Sequence, residues 1–168
     1  MKYTLRHLSL LCASLGLSVV ALAHTENHGH GSDTIGKPGE AARVTRTVQI
    51  DMTDAMRFSP AQVSVKQGET IKFVVKNSGK LKHEFVLGTA AAHKEHYQAM
   101  LKFPEMEHEE PNMVSLAGGQ TGEVVWQFSQ SGLIDFACLQ PGHYDAGMKG
   151  AVKVSPVKSS TGKTTPTH

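Results

Sequence analysis

Cysteine is scarce: this chain of 168 residues has two, Cys12 and Cys138. That excludes a disulfide scaffold, an iron–sulfur cluster with a full cysteine set and a four-cysteine zinc site. Charge is sparse as well. Charged residues make up 19% of the chain, below the ~25% of an average soluble domain. The 17 basic and 15 acidic residues nearly cancel. No basic stripe suits a nucleic-acid backbone, so no nucleic-acid partner is expected. Aromatic residues are few, at 6%, yet a hydrophobic content of 39% supports one ordinary core. The length suits one domain with tails. Histidine, with 10 residues, and methionine, with 7, are the unusual entries in the composition.

Long apolar runs are absent except at residues 8–22. Lys2 and Arg6 precede that run and Ala21-Leu22-Ala23 follows it as a small-x-small cleavage pattern. Residues 1–23 therefore read as a secretory signal peptide. The run falls short of the ~20 apolar residues of a transmembrane helix, so no membrane insertion is expected after cleavage. Cys12 follows Leu11, not the small residue of a lipoprotein signal. Export to the periplasm is the expectation. Cleavage removes Lys2, Arg6 and Cys12, leaving equal numbers of basic and acidic residues and one cysteine, Cys138. Balanced charge gives no long-range steering of a highly charged partner. A lone thiol in an oxidising compartment is buried and inert, paired with another chain, or held by a metal.

Residues 24–42 (HTENHGHGSDTIGKPGEAA) are polar and rich in Gly and His, and read as a flexible leader. Residues 156–168 read as a flexible tail, leaving 43–155 as the folded domain. Strand patterns dominate there. Val44, Val48, Ile50 and Met52 alternate with polar residues, as do Val63 and Val65. Denser runs at 71–75, 83–87, 113–116, 123–128, 133–138 and 150–154 are separated by turn residues. About eight short strands imply an all-β, Greek-key sandwich or barrel. Residues 89–102 break the pattern: His93, Tyr97, Met100 and Leu101 recur at helical spacing, so one helix is inserted between strands. Phe58, Phe73, Phe85, Trp126, Phe128 and Phe136 are candidate core aromatics.

The informative stretch runs from Cys138 through His143 to Met148, with four residues in each gap. Cys138 shares strand parity with Ile134 and Phe136, so it points inward. Pro141-Gly142 turns the chain back towards it, and Gly147 allows a second turn before Met148. His83 begins another strand directly after a turn, and a neighbouring strand end would place it beside Cys138. Two imidazoles and a thiolate in a plane, with a long axial thioether, define a type 1 copper site. Zinc suits Cys and His, but Met is a poor zinc ligand. A Cys–His nucleophile has no need of Met148, and no third orienting residue is evident.

These residues resemble the cupredoxins, such as plastocyanin, azurin and rusticyanin. The likeness covers about 43–154 and is strongest to periplasmic copper-resistance cupredoxins. It is carried by the His-rich leader, the KHEF strand at 82–85, and the FAC, PGHY and GM motifs between 136 and 150. The resemblance implies one copper per chain, with His83, Cys138, His143 and Met148 as ligands and the edge of His143 as the electron port. It implies one-electron transfer to a redox protein partner and a link to copper tolerance, in a monomer that is not an enzyme. Many relatives have Asn after the first His; here that residue is Glu84, which bears on the hydrogen bonds around the ligands. The alternative is a periplasmic carrier or buffer that delivers or sequesters copper. A cuprous oxidase would need further copper sites, and no second full set is evident. His24, His28 and His30, or Met106, His108 and Met113, are candidates for a second copper. The blander reading of the latter is an acidic surface loop. His93 and His96 read as exposed helix histidines.

Overall fold

Burial of alternate side chains, the mark of a half-buried strand, recurs along β2 (Arg46–Thr53), β4 (Gln62–Lys66) and β8 (Thr121–Gln127). The computed structural model describes residues 32–157. The other strands are β1 (Lys37–Pro38), β3 (Arg57–Ser59), β5 (Thr70–Asn77), β6 (His83–Gly88), β7 (Met113–Leu116), β9 (Gly132–Ala137) and β10 (Lys149–Ser155). They form two five-stranded sheets, ordered β1-β8-β5-β2-β3 and β4-β10-β9-β6-β7. β2 runs parallel to β5, and β4 parallel to β10; the remaining pairs are antiparallel. The chain crosses between sheets after β3, β4, β5, β7 and β8, giving the expected Greek-key sandwich.

The inner faces meet in an aromatic core. All six candidate aromatics are buried. Phe136 meets the edge of Phe58 at 5.0 Å and lies tilted against Phe85 at 5.0 Å, the offset arrangements that aromatic rings prefer. This cluster underlies the strand ends that carry His83 and Cys138.

Two strands exceed the expected eight. β1 and β3 have two and three residues, too short for any periodicity to show. Within the stretch expected as a flexible leader, the described residues carry defined elements. A single turn, α1 (Ser32–Ile35), precedes β1, and a 3-10 turn (Ala41–Arg43) follows it. Ile35 is buried, and its carbonyl accepts the Trp126 indole N–H at 2.9 Å. A buried indole needs an acceptor, and this segment provides it. Lys37 and Pro38 pair with Gln127 and Trp126, and Gly39 N–H donates to the Val125 carbonyl. The segment expected to be a signal peptide, His24, His28, His30 and most of the tail lie outside the described residues.

Helix α2 (Ala90–Lys102) is capped by Thr89, whose hydroxyl accepts the Ala92 N–H at 3.1 Å. It buries His93, Tyr97 and Met100, the i, i+4, i+7 stripe of one face. His93 is thus not the exposed histidine expected: it is 2% exposed, while His96 is half-buried. Its shared stripe with Tyr97 and Met100 puts it against the sheet. Among the described residues, no helix is long and apolar enough to cross a membrane.

Gly150 sits where the core leaves no room for a side chain. A Cβ there would fall on the Phe136 ring and 2.7 Å from the Ala61 carbonyl oxygen. Gly150→Ala should destabilise the protein by about 1–3 kcal/mol, the usual cost of overpacking. Denaturant unfolding should show this as a lower midpoint with an unchanged slope.

Candidate metal centre

Each proposed donor is delivered by a short, tightly tied segment. His83 opens β6 after a turn held by Asn77, whose amide donates to the Leu81 and Leu116 carbonyls at 2.8 and 2.9 Å. Cys138 follows the last residue of β9. Its backbone N–H donates to the Met148 carbonyl, and the Met148 N–H donates to the His143 carbonyl, both at 3.1 Å. These two bonds close the loop on itself. Gly142 and Gly147 take positive φ, 84° and 87°, at the two turns where the chain doubles back.

The three nitrogen and sulfur donors converge. His83 Nδ1 and His143 Nδ1 are 3.1 Å apart, and the Cys138 sulfur lies 3.4 Å from His143 Nδ1 and 4.0 Å from His83 Nδ1. A point equidistant from all three is about 2.1 Å from each, close to the bond lengths of a transition metal to imidazole and thiolate. Met148 is fully buried in the same loop. The donor set fits copper: thiolate and thioether suit the cuprous ion and imidazole suits the cupric ion. Among the described residues, His83, Cys138 and His143 form the one His, Cys or carboxylate grouping whose donor atoms lie within 4.8 Å of one another.

The surroundings prepare these donors. His83 Nε2 lies 3.1 Å from Asp54 Oδ1. A carboxylate only accepts, so Nε2 carries the proton and Nδ1 presents a lone pair to the centre. Asp54 also accepts the Lys80 and Leu81 N–H groups. The Lys80 bond is the main reason its carboxyl sits below the ordinary range, ahead of the Leu81 and His83 bonds. Burial pushes the Cys138 thiol up to about 12, although the Glu84 and Gln140 N–H groups favour its thiolate. Burial, then the neighbouring His83, holds His143 below the ordinary histidine value. The pocket thus favours a neutral thiol at Cys138 and a neutral imidazole at His143 until a cation enters.

All four sequence-derived ligands come to one end of the sandwich. Glu84 is buried, and Gln140 Nε2 donates to its Oε1 at 2.6 Å. Its side chain therefore ties the ligand loop, and its N–H points at the Cys138 sulfur at 3.3 Å. Asp54, Tyr97 and Arg57 are supporting residues that the sequence did not reveal. Tyr97 accepts the Gly142 N–H at 3.0 Å and donates to Asp145 at 2.8 Å; Arg57 donates to the Ala146 carbonyl at 2.9 Å. These contacts join distant segments, and no local pattern marks them. Met106, His108 and Met113 do not join this centre; they line a separate cavity beside α2. The carboxylates of 105–110 are exposed, as expected of an acidic surface loop.

The copper binding proteins of the plastocyanin/azurin family match residues 42–155. The chain is 51% identical to the copper-resistant cuproprotein CopI of Rubrivivax gelatinosus, over 79% of this chain and 81% of that protein. It is 37% identical to the CopI of Pseudomonas aeruginosa, over 76% and 85%. Its fold matches the dithionite-reduced auracyanin of Roseiflexus castenholzii, with a TM-score of 0.58 and 21% identity over 67% of this chain and 99% of that one. With this match spanning β2 to β10 and a donor set suited to copper at the end of the sandwich, the chain belongs to the plastocyanin/azurin family of copper-binding proteins.

Proposed function

We propose that the protein is a periplasmic electron carrier with one type 1 copper held by His83, Cys138, His143 and Met148, acting in copper tolerance. The observation that carries this reading is the triangle of His83 Nδ1, His143 Nδ1 and Cys138 sulfur. Copper bound there supplies a one-electron couple between its cuprous and cupric states. The chain's part is to hold the donors still. His83 is fixed by Asp54, Cys138 by the end of β9, and the ligand loop by Glu84, Tyr97 and Arg57. Donors that cannot relax keep the rearrangement between oxidation states small. His143 is half-exposed while His83, Cys138 and Met148 are buried, so its edge is the route for an electron to a redox partner. No bond-making step is assigned to these residues. The names of the relatives, copper-resistant cuproproteins, support the tie to tolerance.

The carrier or buffer reading is favoured by one observation, the second cavity lined by histidine and methionine. Cells separate the two. Cys138→Ser should abolish the intense thiolate-to-copper visible absorption and also copper tolerance. Full tolerance with the colourless variant would defeat the electron-transfer reading and leave copper buffering in its place.

Copper loading should release a proton. With the Cys138 thiol raised to about 12, the apo protein carries it protonated at neutral pH, whereas the ligand form is thiolate. Between neutral pH and that value, affinity should rise by about one log unit per pH unit from this group. Calorimetry in two buffers of different ionisation enthalpy measures the released proton directly. Cys138→Ser should lose that contribution.

Two substitutions should move the reduction potential in opposite directions. Asp54→Asn removes a negative charge that favours the more positive cupric state, so the potential should rise. Met148→Gln replaces a soft thioether with a harder oxygen, so the potential should fall. Protein-film voltammetry reads both; equal potentials in all three proteins would remove Asp54 and Met148 from the centre.

A further inference from the structure

A cavity of about 350 Å3 lies between α2, the loop that follows it, and the edge of β7. His93, His96, Met106, His108, Glu110 and Met113 are among the residues that line it. None of them takes part in the centre at Cys138. His93 is 2% exposed and its Nε2 is enclosed with no hydrogen-bond partner. Its other ring nitrogen bonds to the Val86 backbone, so Nε2 is the nitrogen with the lone pair. Burial holds the ring down to about 4, which keeps that lone pair at neutral pH. Gly88 makes space for it: a Cβ there would stand 2.5 Å from Nε2. Both ring nitrogens of His108 are likewise enclosed without partners. The His96 ring lies 4.4 Å from that of His108, centroid to centroid. Enclosed imidazole nitrogens left unpaired cost free energy, and a metal ion is the partner that imidazole and thioether share.

We propose that this cavity is a second metal site, for the cuprous ion, held by His93, His96 and His108 with a thioether from Met106 or Met113. The thioethers select a soft cation over zinc or calcium. The donors of His93, His96 and His108 do not stand as close together as those at Cys138; His93 and His96 are fixed on the helix, while His108 and Met106 sit on the loop, so binding must draw the loop inward. Met106 is 42% exposed and marks the entrance, and exposed Glu105, Glu107 and Glu109 surround it with negative charge that attracts a cation. The site is independent of electron transfer at Cys138 and holds whether or not that reading does.

Silver(I), a redox-inert stand-in for the cuprous ion, tests it on the full mature chain carrying Cys138→Ser. The first equivalent should shift the NMR signals of the Met106 or Met113 methyl and of the His93, His96 and His108 rings. His108→Ala, and the Met106→Leu, Met113→Leu double variant, should each weaken binding by about tenfold or more, as loss of a site residue does. Shifts confined to His24, His28, His30 or Met148, or affinity unchanged in both variants, would overturn the proposal. With Cys138 restored and copper added, His108→Ala should leave the visible band intact. That band reports folding as well, and it separates failure of this site from failure of the thiolate centre.

Discussion

Two imidazole nitrogens held 3.1 Å apart beside a buried sulfur are the constraint on which the rest of this structure depends. Lone pairs at that distance repel unless a proton or a cation lies between them. Asp54 prevents His83 from relieving the conflict by moving its own proton to Nδ1, because the proton is engaged at Nε2. The aromatic core beneath prevents the rings from swinging apart: Phe58, Phe85 and Phe136 fill the space below the strand ends. The sandwich thus keeps the two nitrogens at a spacing bridged by a proton on His143 Nδ1 or, in its place, by a metal ion.

The local part of this centre was legible and the remote part was less so. Cys138, His143 and Met148 lie within one loop, so their spacing alone carries the donor set. His83 comes from a different strand, and only its place at a strand start and the family resemblance point to it. Asp54, Tyr97 and Arg57 could not be found, because each acts through tertiary contacts with residues far along the chain. The fold shows the same division. Long alternating strands were readable, whereas β1 and β3 exist because neighbouring strands pair with them. Ile35 is a single apolar residue in a polar segment, and only the Trp126 indole explains why it docks.

Glu84 ties the ligand loop to the strand that carries His83. A carboxylate after the first histidine cannot donate a hydrogen bond when ionised, so it cannot tie the loop as an amide does. The loop answers with Gln140, an amide donor placed two residues after Cys138. That bond joins the ligand loop to β6. Tyr97 adds a second tie from α2.

That second tie makes the inserted helix more than a cover for the sheet. Tyr97, on its buried stripe, touches the ligand loop, while His93, one turn earlier on the same stripe, lines the cavity beside β7. One rigid element therefore forms a wall of both the thiolate centre and the histidine–methionine cavity. A shift of α2 along its axis would alter Tyr97's hold on Gly142 and Asp145 and the His93 donor together. The helix is anchored against such a shift at its N-terminus by the Thr89 cap and on its inner face by Met100, which keeps the geometry of each site independent of what the other holds.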